Sequence, residues 1–176
     1  AMPIKNKPLP IIALPTTAGT GSETDALGVI TKVEAPEKIG FGFIDELFPK
    51  IAIIDPELTL NVPPKFTAYQ GFDALFHSVE GYISKRANLM SDMMSTTAIK
   101  YISHNLPKVV HDGTDLDARE KVAFGSYLSG IVMVVGSTTS QHSLEHAMSA
   151  YHQELPHGAG LIMLSKAYFK FFIDKH

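Results

Sequence analysis

The chain has no cysteine among its 176 residues. That excludes disulfides and thiolate metal sites, so any metal must be held by His, Asp or Glu. It also fits a reducing compartment, and a cytoplasmic location is expected. A basic patch is missing too: the only adjacent Lys/Arg pair is Lys85-Arg86, and the net charge is −3. No nucleic-acid partner is expected from that balance. Long apolar runs are absent as well. The longest apolar-rich stretch, Val122 to Val135, is interrupted by Gly125, Ser126, Ser129 and Gly130. It is too short and too broken to span a bilayer and reads as a buried helix, so no membrane partner is expected. Ala1-Met2-Pro3 starts no signal-peptide apolar region. Neither internal repeats nor low-complexity tracts occur. What remains is an ordinary globular composition, 45% hydrophobic and 19% charged, with a length that allows one domain and an incomplete partner.

Two regimes divide the chain. Pro3 to Pro10 should be an extended arm. Ile11-Ile12-Ala13-Leu14, ended by Pro15, has the pattern of a buried strand. A small-residue, hydroxyl-rich loop follows, Thr16 to Ser22, and Glu23 to Asp25 should lead into extended Leu27 to Val33. Lys38 to Phe43 and Ile51 to Ile54 are further strand candidates. After Pro63-Pro64 the periodicity becomes helical: Phe66 to Ser84, Ser91 to Asn105, Asp117 to Val135, Ser140 to Tyr151 and His157 to Phe172. Asp115 and Asp117 offer N-caps for the third of these.

The chemistry-bearing residues fall in three places. Thr16 to Ser22 lets a ligand approach the backbone closely and offers Thr hydroxyls. It is neither a dinucleotide fingerprint nor a Walker motif. Asp73 and His77 stand four apart, with Glu80 three further on, so all three share one helix side. His142 and His146 repeat the spacing of four, and His157 stands between Pro156 and Gly158 at a helix start. A helix N-terminus favours neutral imidazole, the metal-binding form. Imidazole and carboxylate together suit a divalent transition ion: iron, zinc or nickel. His142-x-x-x-His146 is not a metalloprotease motif, because Ser143 stands where that chemistry needs Glu.

Five segments carry a family resemblance: Pro15-Thr-Thr-Ala-Gly-Thr-Gly-Ser-Glu23, Ile54-Asp-Pro-Glu-Leu-Thr59, Gly71-Phe-Asp-Ala-Leu-Phe-His-Ser-Val-Glu80, His142-Ser-Leu-Glu-His146 and Leu155-Pro-His-Gly158. Together they resemble the iron-containing (group III) alcohol dehydrogenases, in the family's order and nearly its spacing. The resemblance implies a metal-dependent, NAD- or NADP-linked alcohol dehydrogenase or aldehyde reductase. It implies Asp73, His77, His142 and His157 as metal ligands, with His152 a minor rival to His157. His146 would be a non-ligand histidine beside substrate and nicotinamide. Thr16, Thr17, Thr20, Lys38 and Leu58 would be cofactor contacts, and a small alcohol or aldehyde the substrate.

The implied fold is the α/β tail of a dinucleotide-binding domain (residues 1–62) followed by an all-α helical metal-binding domain (residues 63–176). That arrangement is dehydroquinate synthase-like and incomplete. The family's Gly-Gly-Gly-Ser pyrophosphate motif would precede Pro10, so a central piece is expected. Such a piece should self-associate or rely on a complementary chain, and should turn over feebly alone. An inactive fragment that keeps only metal binding is the alternative.

Overall fold

The computed structural model describes residues 7–32, 34–42 and 45–175. Residues 3–6 of the expected arm, with residues 1–2, Val33, Phe43, Ile44 and His176, lie outside them, and residues 7–10 form neither helix nor strand.

Five helices make up the bulk of the fold: α1 (Pro64–Ile83), α2 (Leu89–His111), α3 (Leu116–Val135), α4 (Ser140–Tyr151) and α5 (His157–Lys175). Local chemistry sets their ends. Pro64 opens α1, where its missing N–H costs nothing. Asn88 caps α2 reciprocally: its Oδ1 accepts from Met90 and Ser91 N–H at 3.1 Å, and Ser91 Oγ accepts from Asn88 N–H at 2.8 Å. That cap starts α2 earlier than the apolar periodicity predicts. The helix also runs past Pro107, whose neighbours Leu106 and Val109 are buried in the core, so packing overrides the lost backbone bond. Asp115 caps α3 as expected, accepting from Ala118 N–H at 3.0 Å.

The core lies between α1, α2 and α3. It is built from Ala74, Ala98, Ile102, Leu106, Val109, Ala118, Val122 and Leu128. Arg119, buried with no carboxylate partner among the described residues, stitches three segments. It donates to Gly113 O at 2.9 Å, Thr67 Oγ1 at 3.1 Å and Val62 O at 3.3 Å. α5 packs on α1 and α4. No single helix among the described residues is long and apolar enough to cross a membrane.

Four short strands precede the helices: β1 (Ile12–Ala13), β2 (Gly28–Lys32), β3 (Glu37–Phe41) and β4 (Ile51–Ala52). β1 and β4 pair in parallel; β2 and β3 form an antiparallel hairpin. The expectation of a buried strand at Ile11 to Leu14 is corrected here. Ile12 is 58% exposed and its partner Ile51 52% exposed. The pair is two residues long, and no second layer of described residues covers it. Glu23 to Asp25 lead into β2 as expected; Ser22 to Thr24 turn, with Thr24 N–H donating to Gly21 O at 2.9 Å, and Glu23 and Asp25 are buried.

Candidate metal centre

α1 brings Asp73 and His77 to one face, as the spacing of four requires. That face is enclosed, because Ala74, Phe76, Ser78 and Glu80 around it are buried. α4 presents His142 and His146, and α5 begins at His157. The three helices place one carboxylate oxygen at the centre. Asp73 Oδ1 lies 3.5 Å from His77 Nε2, 3.4 Å from His142 Nε2 and 3.4 Å from His157 Nε2. These separations exceed good N–H···O bonds. Donors around a tetrahedral ion at about 2.0–2.1 Å would stand about 3.3–3.4 Å apart. Three imidazoles and one carboxylate are also a donor set that zinc and iron accept. The residue types and the distances from Asp73 fit a divalent ion: Asp73, His77 and His142 offer ligand atoms within 4.8 Å of one another, and His157 joins them through Asp73.

The rings are closely grouped. His77 and His142 stack with centroids 4.5 Å apart and an interplanar angle of 15°. His157 sits 5.5 Å from His142 and 5.2 Å from His146. His152, the rival ligand, is exposed in the turn between α4 and α5 and faces Glu154 at 3.8 Å. The structure brings His157 to Asp73 and leaves His152 outside.

Electrostatics differ from ring to ring. Burial would raise Asp73, but His77, His142 and His157 hold it well below the usual carboxylate range. Burial pushes His77 down to about 4 in spite of Asp73 beside it. Burial, with His157 nearby, also takes His146 down to about 4. Burial works against a proton on His157, yet Asp73 and Glu145 lift it to about 9. His142 is raised for the same kind of reason, by Asp73 and Glu80.

The cluster opens into a cavity of about 460 Å³. Asp73, His77, His142, His146 and His157 line it together with Thr20, Asp25 and Lys38. Lys38 reaches across from β3 and donates to Ser149 Oγ on α4 at 2.7 Å. Of the expected cofactor contacts, Thr20 and Lys38 thus share the cavity with the histidines. Thr16, Thr17 and Leu58 are exposed and stand outside its lining.

Three acidic residues of this site were not given roles by the sequence reading. Glu145 is fully buried beside His157. Its signal was available: His142, Glu145 and Ser149 fall at i, i+3 and i+7, the spacing of one buried helix face. Glu80 was placed on the side of Asp73 and His77, but its partner on α4 is not readable from α1. Asp25 carried no periodic signal, since its burial comes from the packing of a loop.

Comparison with known proteins gives the family. The family profile described as Fe-containing alcohol dehydrogenase family, C-terminal, matches residues 67–176, and that described as iron-containing alcohol dehydrogenase matches residues 1–56. An NAD-dependent methanol dehydrogenase of Bacillus methanolicus is 40% identical over 151 residues, covering 85% of this chain and 39% of its own length. An archaeal halo-thermophilic Red Sea brine pool alcohol dehydrogenase superposes with a TM-score of 0.92 at 34% identity, over 98% of this chain and 43% of that one. Sulfoacetaldehyde reductase from Bifidobacterium kashiwanohense, solved with NAD+, gives a TM-score of 0.86 at 37% identity, over 93% and 43%. The chain spans about two fifths of the length of the curated relatives it matches. On the match of its helical region and its ordered motifs, the chain belongs to the iron-containing alcohol dehydrogenase family.

Proposed function

We propose that this chain supplies the metal centre and one wall of the cofactor cleft for NAD- or NADP-linked hydride transfer between nicotinamide and a small alcohol or aldehyde. The observation that carries the reading is Asp73 Oδ1 standing 3.4–3.5 Å from three histidine Nε2 atoms at the edge of an open cavity. Asp73, His77, His142 and His157 would hold iron or zinc. Such an ion, when bound, supplies Lewis acidity toward the substrate oxygen. Residues 1–62 would be the tail of the dinucleotide-binding domain and residues 63–176 the helical metal-binding part.

The chain's own groups have separate tasks. Lys38 and Thr20 line the side of the cavity that comes from the strand-rich segment, where a nicotinamide nucleotide would enter. Thr16, Thr17 and Leu58 would meet the cofactor beyond that lining. His146 is half-buried and held neutral, so it can accept a proton from a substrate hydroxyl and pass it outward. A cavity of this size has room for a small substrate.

Metal analysis and assay test the reading. Protein prepared without added metal should carry iron or zinc, and His142→Ala should lose it. Nicotinamide-dependent oxidation of small primary alcohols, however slow, should vanish on chelation and return with Zn2+ or Fe2+. Turnover indifferent to chelation, or a chain that takes up neither ion, overturns it.

A further inference from the structure

The two fully buried glutamates, Glu80 and Glu145, form no ion pair with Lys or Arg among the described residues. Burying a carboxylate without strong partners is costly. Both spend that cost on a histidine of the cluster. Glu80 Oε1 lies 2.6 Å from His142 Nδ1, and Glu145 Oε2 meets His157 Nδ1. A carboxylate oxygen can only accept, so in both contacts the ring Nδ1 is the donor. A neutral imidazole with its proton on Nδ1 has its lone pair on Nε2. In both rings Nε2 is the atom that faces Asp73.

We infer that Glu80 and Glu145 are positioning residues of the metal centre, each holding one histidine's Nδ1 proton so that its Nε2 lone pair points at the ion; this rests on the metal-binding reading above. The contrast inside the cluster supports it. His77 Nδ1 is buried with no partner among the described residues, so the other two ring orientations are set by built contacts that His77 lacks there. The surroundings are fitted to the task as well. A Cβ at Gly160 would stand 2.9 Å from Glu145 Cγ and Oε1, and one at Gly158 would stand 2.2 Å from Tyr69 O. Only glycine at these two positions lets α5 seat His157 between α1 and Glu145. Glu80 does a second job. α4 has no side-chain cap of its own; Glu80 takes the N–H of Thr139, its Oγ1 at 2.7 Å and the N–H of His142 at 3.2 Å.

Glu145, His146 and His157 also group closely enough to suggest Glu145 as a ligand itself. Its position on Nδ1, the ring nitrogen opposite the one facing Asp73, argues for positioning.

Chelator competition for Zn2+ and the absorption of bound Co2+ test this on the whole chain, comparing Glu145→Gln and Glu80→Gln with the exposed control Glu120→Gln. Each buried substitution should weaken Zn2+ binding about 10- to 100-fold, at unchanged stoichiometry. Metal-free Glu145→Gln should keep the thermal stability of the parent within a few degrees, which separates orientation from mere packing. Glu145 caps no helix, so it carries the test alone if Glu80→Gln fails to fold. Zn2+ affinity equal to that of Glu120→Gln overturns the inference, and loss of a second metal equivalent shows a ligand instead. A parent chain that binds no Zn2+ overturns the metal reading first, and this one with it.

Discussion

Glu80 on α1 and His142 on α4 meet through Oε1 and Nδ1 at 2.6 Å, with both side chains closed to solvent. One contact thereby joins two helices, caps the start of the second and fixes the ring that faces Asp73. The centre and the packing of α4 are therefore one structure, and substitutions separate them only in part.

His157 and His152 give the first separation. His157→Ala removes a donor from Asp73 and should lower Zn2+ affinity about 100-fold or more, beyond the loss expected for an outer contact. His152→Ala should leave it unchanged, since His152 is exposed and faces Glu154. Chelator competition ranks them, and the reverse ranking would move the ligand to the other histidine.

Metal should also stabilise the fold. Zn2+ at about 100 times its dissociation constant should add about 2.7 kcal/mol. Asp73→Asn should abolish the shift, because the carboxylate is the common neighbour of all three imidazoles. Thermal melts with and without Zn2+ read this directly.

Asp25 should make stability fall as pH rises. Burial, together with the charge of Glu23, lifts its pKa to about 6 from 3.8, in spite of the bond from Leu27 N–H. A pKa raised in the fold favours the protonated form there. Its contribution is full below pH 4 and lost as pH rises through about 6. Asp25→Asn keeps an acceptor for Leu27 and should gain about 1–3 kcal/mol over the parent at pH 7 and little at pH 4. Urea titrations at both pH values check the sign.

Arg119 holds the approach to α1 against the start of α3. Arg119→Leu leaves Val62 O and Gly113 O without their guanidinium donor and should cost about 1–3 kcal/mol. Zn2+ stoichiometry should survive, because Arg119 touches none of the cluster.

The exposed apolar side chains of β1 and β4 should drive self-association. Light scattering should show a molar mass that grows with concentration. Ile51→Lys should suppress the growth, since it places a charge on the strand pair. A mass independent of concentration in the parent would count against it.

The sequence by itself determined the helices and the pairing of candidate site residues within each helix. The 3.6-residue period sets Asp73 with His77 and His142 with His146, and no tertiary information is needed for that. Periodicity, with Pro63-Pro64 and the Asp115 cap, located α1, α3 and α4 to within a few residues, and the five ordered motifs located the family. The family resemblance already favoured His142 over His146 and His157 over His152, but only the tertiary structure shows their rings meeting Asp73, and it alone decided that Glu80 and Glu145 stand behind two of them. Those choices depend on how α1, α4 and α5 cross. Side chains far apart in the chain reach one point only once the helices are packed, and a local period carries no record of that crossing. Burial of the strands escaped the reading for the same reason. Ile12 and Ile51 are apolar enough for a core, but whether a layer covers them is a property of the assembled fold.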